Sequence, residues 1–495
     1  MNKINIFKVI GTVAVINILA RLLGFFRELV IGYQFGTSEI ADMIITVYTV
    51  PNFLYIVVGG AITTAFISIF MSVNNQTDHF LQNSLKFILF VGIALTFLTF
   101  AFMWSFKEIL FSSYVEDHEE LLNSLLLWMI PSTFFLIIST WMNGVLNSQG
   151  KFAFSTLSSF FYNLVFLVIA VMLSFLLGAM SYGIGALVAS VVMVMYLNCH
   201  VHLRALLLPL NRFKATAEIK RMVWLALPII LGGATIQFYF IIHRYFSLQL
   251  ADGFVAAVNY ASKLTQFPQA LLMTVVTTVL YPLITKGVKE GDQRFIKSIY
   301  FRGLRVLGLL LIPASAFIWI YGPEMIELIY EHGNFDASAS KMTAPLLKIF
   351  GLSLFFISAN TYMTRFFYAN EISSTPVIIS IISVFGVNVL VILSFIDQYG
   401  ASAIAWATVI SSIFQFLLLL FFSLKLLKFS VKELSWIGKD LILFSIVLLF
   451  LMLGRWIFSH DNALIMMAVG IIALLISYVI SIKFLKISLK NLLLK

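Results

Sequence analysis

The sequence predicts an all-α polytopic membrane protein of about fourteen transmembrane helices, organised as two parallel six-helix repeats plus a C-terminal helix pair. Three observations predict it: a very apolar composition, a succession of apolar runs of bilayer-spanning length, and residues that recur at a fixed spacing between the two halves. Of the 495 residues, 61% are apolar and only 11% are charged, against roughly half and a quarter in soluble domains. A water-soluble core of this size could not hide so much apolar surface. The 49 phenylalanines are scattered through every long run, which suits lipid-facing helices better than a local binding box.

A span needs about 20 mainly apolar residues. Runs near 8–33, 40–70, 84–106, 120–146, 153–178 and 181–203 supply six, and runs near 221–247, 253–284, 303–322, 342–368, 375–396 and 401–424 supply six more. Two further runs lie near 440–457 and 463–482. The start, MNKINIFKVIGTVAVINILARLLGF, has a basic end and an apolar run but no small-residue cleavage site, so it reads as the first span rather than a removable signal. The expected organisation is therefore a first lobe over 1–215, a second over 216–430 and the final pair over 431–495.

The formal net charge of +10 does not point to nucleic acid, because the basic residues sit in short loops between apolar runs rather than on a soluble basic face. Topology accounts for them. With both termini on the cytoplasmic side, most of the 32 basic residues fall in cytoplasmic segments, notably Arg204 to Arg221, Lys286 to Arg305, Lys425 to Lys439 and Lys483 to Lys495. The acids gather in the opposite loops, at Glu116, Asp117, Glu119 and Glu120 and at Glu324, Glu327, Glu331 and Asp336. A single cysteine, Cys199, excludes a disulfide framework and a thiolate metal cluster.

A constant spacing of 217 residues links the halves: Arg27 with Arg244, Gly36 with Gly253, Pro51 with Pro268, Leu54 with Leu271, and the pair Tyr182, Gly183 with Tyr399, Gly400. Six spans per copy is an even number, so the second copy enters the membrane in the same orientation as the first. Parallel repeats of this kind are used by transporters that rock around a central cavity.

The charges inside the spans carry the functional expectation. In ARLLGFFRELVIGYQFG, Arg21, Gly24 and Glu28 share one helical face, with Arg27 beside it. A charge at mid-bilayer costs roughly 2.5 to 3.5 kcal/mol on insertion scales, so such residues normally face a protein interior or a wet cavity. Arg21 is the deepest of the set. Arg27 and Glu28 lie nearer the end of the run, where a long side chain can snorkel, and an ion pair of Arg27 with Glu28 or Asp42 is the structural alternative. Asp42 is too short to snorkel far and needs a partner. In the second copy, HRYFSLQLADGFVAAVNYASKLTQFP brings His243, Arg244, Lys263 and Gln266, the last two at i and i+3. Basic groups from both copies suit a phosphate-rich head such as a pyrophosphate, and the Phe, Met and Leu content suits a long lipid tail. The expected ligand is an anionic amphiphile.

Those strings, together with GGAITTAF, YEHGNFD and FFYANEISSTPVIIS, resemble the MurJ (MviN) family of lipid II flippases, in the multidrug/oligosaccharidyl-lipid/polysaccharide exporter superfamily. The resemblance implies two six-helix lobes around a V-shaped cavity, a groove from the last two helices for an undecaprenyl tail, and alternating access in a bacterial cytoplasmic membrane. It implies transport of lipid II to the outer leaflet by a non-enzymatic monomer, with membrane lipids and no nucleic acid as partners and with no cofactor. By position it implies cavity roles for Arg21, Arg27 and Asp42, with Glu28 where an Asp is usual, Lys263 in place of an Arg and Gln266 in place of a Glu. The basic pair that often follows the Pro-Asn is absent, since Phe53 and Leu54 follow Pro51 and Asn52. A flippase for another undecaprenyl-linked glycan is therefore the nearest alternative, and a membrane glycosyltransferase or polymerase a remote one. Asn388 and Thr408 match positions near a sodium site of some relatives, but His243 stands where a carboxylate is wanted, so no metal site is expected.

Overall fold

The computed structural model describes residues 3–73, 77–201, 215–275, 280–427 and 436–484. The basic stretches over 202–214, 428–435 and 485–495, on which part of the charge argument rests, lie outside the described residues. Every regular element among the described residues is helical. Lipid offers no hydrogen bonds to a backbone, so a chain of this composition has to satisfy its amides within helices. Ser and Thr hydroxyls inside the spans do likewise by turning back on their own helix, as Thr49 Oγ1 does to the Ile45 carbonyl at 2.7 Å and Ser139 Oγ to the Leu136 carbonyl at 2.6 Å.

Ten of the described helices are long and apolar enough to cross a membrane, and twelve if each of two bent pairs is one span. The expected fourteen is not reached by that measure. Two more long helices, Lys3–Phe35 and Phe254–Val275, are the ones that hold Arg21, Arg27 and Glu28 and Lys263 and Gln266. Within the expected run 253–284 the described residues form helices Phe254–Val275 and Tyr281–Glu290, the latter ending on Gly291 in the left-handed region at φ +69°.

The chain forms two compact units. One holds residues up to Ile31 and Ser38–Val255; the other holds Gly32–Thr37 and Ala256–Lys495. In the first unit, helix Glu39–Leu54 runs on through a π-helical turn at Tyr55–Gly59 into helix Gly60–Phe70. Helices Thr77–Ser105, Ser132–Ser148, Phe152–Leu177 and Met180–Val201 follow, and helix Ala217–Ser247 also belongs here, packed on Gly60–Phe70. The compact units divide near residue 255.

In the second unit, helix Gln293–Tyr330 is the spine. Helices Trp436–Ile457 and Ala463–Phe484 pack on it through Phe317, Ile320 and Tyr321 against Leu443, Val447, Leu451 and Met466. Ion pairs fasten the packing at both ends, Arg305 with Asp440 at 3.2 Å and Arg455 with Glu324 at 2.9 Å. The spine bends at Tyr321 (φ −109°, ψ 16°), just before Pro323. The backbone carbonyl of Ile320 there accepts a hydrogen bond from Arg455, and the Tyr321 hydroxyl donates to the Leu451 carbonyl at 3.2 Å. The same unit contains a tight backbone contact. Asn334 N–H donates to the Tyr33 carbonyl at 2.8 Å, Asn334 Nδ2 to the Gln34 carbonyl at 2.6 Å, and the Tyr260 hydroxyl to the Gly36 carbonyl at 3.0 Å. Tyr260, Tyr330 and Phe335 cluster beside it, with ring centroids 5.0 to 5.7 Å apart.

The repeat is visible, but its spacing is not constant. Gly36 and Gly253 are both in the left-handed region, at φ +57° and +84°, and keep the 217-residue spacing; Pro51 and Pro268 both lie inside helices. Further along, Gly178 (φ +52°, ψ −133°) ends helix Phe152–Leu177 as Gly400 (φ +52°, ψ −134°) ends Val389–Tyr399. These matching breaks are 222 residues apart. Tyr182 and Gly183 lie within helix Met180–Val201, so their proposed match to Tyr399 and Gly400 is incorrect. The second copy has gained five residues before this break, and a sequence match of two common residue types masked the shift.

A side chain at Gly36 would place its Cβ 2.4 Å from the Asn334 carbonyl, and one at Gly333 2.4 Å from the Tyr33 carbonyl. At Gly178 a Cβ would meet nothing within 4 Å, so Gly178→Ala carries only the backbone cost of about 1–3 kcal/mol. Gly36→Ala and Gly333→Ala are expected to lower the thermal midpoint of the purified protein further than Gly178→Ala does.

Candidate functional site

Among the described residues, four charged residues of the first unit are buried, Arg27, Glu28, Asp42 and Arg244. Arg27 is 6% exposed and Glu28 4%, and Arg27 Nη2 lies 2.9 Å from Glu28 Oε1. The guanidinium carbon sits 4.2 Å from the Tyr48 ring centroid and 4.8 Å from that of Phe166, while the Tyr162 hydroxyl lies 3.5 Å from that of Tyr48. The remaining Nη1 is buried without a hydrogen-bond partner among the described residues. Two aromatic faces cover the cation in its place, an interaction worth about 2 kcal/mol when desolvated. Snorkelling does not describe Arg27. It is locked, and its charge is balanced by its sequence neighbour.

Arg21, by contrast, is exposed. It lies on the face of helix Lys3–Phe35 that also bears Gly24, where a Cβ would sit 3.4 Å from Asn163 Oδ1.

Asp42, fully buried, does find a partner, but it is backbone: the Gly253 N–H donates to Asp42 Oδ2 at 2.8 Å. Arg244 is also in this unit and 7% exposed. Its Nε lies 3.4 Å from Thr49 Oγ1 and its Nη1 3.4 Å from the Val255 carbonyl. It sits in the last turn of helix Ala217–Ser247, where the helix dipole favours a cation. The structure pairs Arg27 with Glu28 and sets Arg27 over Tyr48, joins Arg244 to Thr49 and joins Asp42 to the Gly253 turn. His243 is buried beside the Tyr239 ring, with centroids 6.1 Å apart.

Lys263 and Gln266 belong to the second unit. Both are half-buried on one face of helix Phe254–Val275, near the buried Asn259 and Thr265. In the same unit Asn388 Nδ2 donates to Ser411 Oγ at 3.5 Å and Thr408 Oγ1 to the Ile404 carbonyl at 3.2 Å.

Sequence reasoning missed the partners on helix Phe152–Leu177, namely Ser159, Tyr162, Asn163 and Phe166. The signal was present, since Ser155, Ser159, Tyr162 and Asn163 recur every three or four residues within an otherwise apolar run, which puts them on one helical face.

Long apolar helices that enclose a buried, paired charge define a multi-pass membrane protein of the transporter kind. The sequence profile of the family described as "Lipid II flippase MurJ" matches residues 31–481. The chain belongs to that family. It is 27% identical over 432 residues, 84% of this chain and 83% of the relative, to a probable lipid II flippase MurJ of Buchnera aphidicola subsp. Acyrthosiphon pisum. It is also 27% identical over 394 residues to the lipid II flippase MurJ of Burkholderia cenocepacia, covering 76% of each chain. Its fold is similar to that of a solved lipid II flippase MurJ in an inward closed conformation, with a TM-score of 0.81 at 24% identity over 96% of this chain and 99% of the other. An inward-facing multidrug transporter of the MATE family, from the MOP superfamily, has a similar fold at a TM-score of 0.66 and 15% identity, over 84% of this chain and 95% of the other.

Removing one member of a buried ion pair strands the other and costs about 3–5 kcal/mol. Arg27→Gln and Glu28→Gln are each expected to lower the thermal midpoint sharply, the double variant less than the sum of the two, and Arg21→Gln hardly at all. A double-mutant cycle on the purified protein measures the coupling.

Proposed function

We propose that this chain is a lipid II flippase, carrying the undecaprenyl-pyrophosphate-linked peptidoglycan precursor from the cytoplasmic to the outer leaflet by alternating access. The observation that carries this reading is the family match over 31–481, joined to an accessible Arg21 beside a neutralised Arg27–Glu28 pair. A guanidinium fork pairs with phosphate oxygens bidentately, so Arg21 takes the pyrophosphate. Arg27 and Glu28 hold their helix in place, and Asp42 and Arg244 tie helix Glu39–Leu54 to the Gly253 turn and to helix Ala217–Ser247. In the second unit Lys263 is a half-buried cation with Gln266 on the same helix face, and the last two helices offer the lipid tail an apolar surface. The working unit is a single chain with both termini on the cytoplasmic side, an orientation supported by the concentration of Lys and Arg in the segments that this arrangement places inside.

A second reading, a flippase for another undecaprenyl-linked glycan, is favoured by one observation: Phe53 and Leu54 stand where a basic pair often follows the Pro-Asn.

Depletion of the protein in a bacterium with no other lipid II flippase is expected to abolish exposure of the precursor on the outer leaflet. Wild type restores it, and Arg21→Ala does not. Normal exposure after depletion would refute the function, and restoration by Arg21→Ala would refute the assignment of the phosphate contact.

A further inference from the structure

Two prolines interrupt the spine helix Gln293–Tyr330, Pro313 and Pro323, and the last two helices answer both. A proline gives no N–H to the carbonyl four residues before it, and in lipid a freed carbonyl has to find another donor. For Pro313 the freed carbonyl is that of Leu309, and the Tyr478 hydroxyl on helix Ala463–Phe484 donates to it at 3.1 Å. The spine bends again at Tyr321, just before Pro323, and there Arg455 on helix Trp436–Ile457 donates to the Ile320 carbonyl. Leu309 and Ile320 are eleven residues apart, about 16 Å along the axis. The terminal pair is a splint, fastened at two points to a helix that prolines have weakened.

The two fastenings are unequal. At the Arg455 end the guanidinium meets both oxygens of Glu324, at 2.9 and 3.2 Å, and lies over the Tyr321 ring, 5.8 Å from its centroid. The Tyr321 hydroxyl returns a bond to the Leu451 carbonyl at 3.2 Å. Both terminal helices approach closely here, since a Cβ at Gly454 would sit 3.3 Å from the Tyr321 hydroxyl and one at Gly470 2.9 Å from Phe317. The Tyr478 end is held by less. Arg305 Nε and Nη2 both reach a single oxygen of Asp440, Oδ1, at 3.3 and 3.2 Å, and Oδ2 is buried without a hydrogen-bond partner among the described residues. A Cβ at Gly438, two residues before Asp440, would meet nothing within 4 Å. On the same helices Leu441, Ile442, Leu475, Val479 and Phe484 are exposed, a surface for an apolar chain.

We infer that Tyr478 and the Arg305–Asp440 pair form a latch that opens to admit the long tail of the substrate, while the last two helices pivot on the Arg455 end, which stays closed. With both termini on the cytoplasmic side, the latch lies at the leaflet where the substrate is loaded and the pivot at the leaflet where it leaves. Opening the latch also takes the donor from the Leu309 carbonyl, so the spine regains its freedom at Pro313 while the tail is present. Tyr478 is thus a positioning residue that acts through the spine. The inference rests on the flippase reading and the orientation given above.

Two matched substitutions test it, because each deletes one tyrosine hydroxyl that bonds to a carbonyl across the same helix contact: Tyr478→Phe at the latch and Tyr321→Phe at the pivot. The purified full-length chain is mixed, in one detergent, with lipid II, with the same head group on a short farnesyl tail, and with phosphatidylglycerol as control. Tyr478→Phe is expected to speed association of lipid II about threefold to tenfold, the worth of one hydrogen bond, and to leave the farnesyl lipid within about twofold of wild type. Tyr321→Phe leaves both unchanged. Amide hydrogen exchange in Tyr478→Phe rises over 438–443 and 476–484 and stays at the wild-type level over 448–458. Unchanged lipid II association or unchanged exchange over 476–484 in Tyr478→Phe, equal acceleration of the two head-group lipids, or equal effects of the two substitutions overturns the latch while the flippase reading stands. A wild type that binds neither head-group lipid better than phosphatidylglycerol overturns the flippase reading itself.

Discussion

The buried Arg27–Glu28 pair is the constraint on which the first unit depends. A guanidinium at membrane depth is tolerated only when its charge is balanced and its surface covered. Glu28 supplies the balance at 2.9 Å, and Tyr48 and Phe166 supply the cover from two other helices. Meeting that requirement fixes how helix Lys3–Phe35 is rotated, because the same rotation turns Gly24 towards Asn163 and leaves Arg21 exposed. The available charge is thus a product of the unavailable one. Arg244 adds to the arrangement by bonding to Thr49, the residue next to Tyr48.

The all-helical class and most span positions were legible because apolar runs of about 20 residues have few structural outcomes. Pairing was not. Arg21 and Arg27 look alike in sequence, and depth within a run says nothing about which helix lies across from each. Asp42 needed a partner on simple electrostatic grounds, yet that partner is the Gly253 amide, a group every residue but proline carries. The aromatic cover of Arg27 was hidden in the same way, since a Tyr or Phe in a membrane helix is ordinary until a cation is known to face it.

The two copies keep the same backbone breaks and use them differently. Gly36 and Gly253 both turn the chain through positive φ, but Gly253 offers its N–H to Asp42, whereas Gly36 offers its carbonyl to Tyr260. Position 42 is an Asp in one copy and its counterpart is Asn259 in the other. Duplication preserved the geometry of the turns and released the side chains around them.

The bend in helix Gln293–Tyr330 bears on how the protein is made. Its Ile320 carbonyl is satisfied by Arg455, 135 residues further along the chain, and the Tyr321 hydroxyl finds the Leu451 carbonyl 130 residues on. Synthesis proceeds from the N-terminus, and units fold as they emerge. The spine of the second unit therefore enters the membrane before the residues that complete it exist. A chain that ends before Arg455 lacks the groups that bond to this bend.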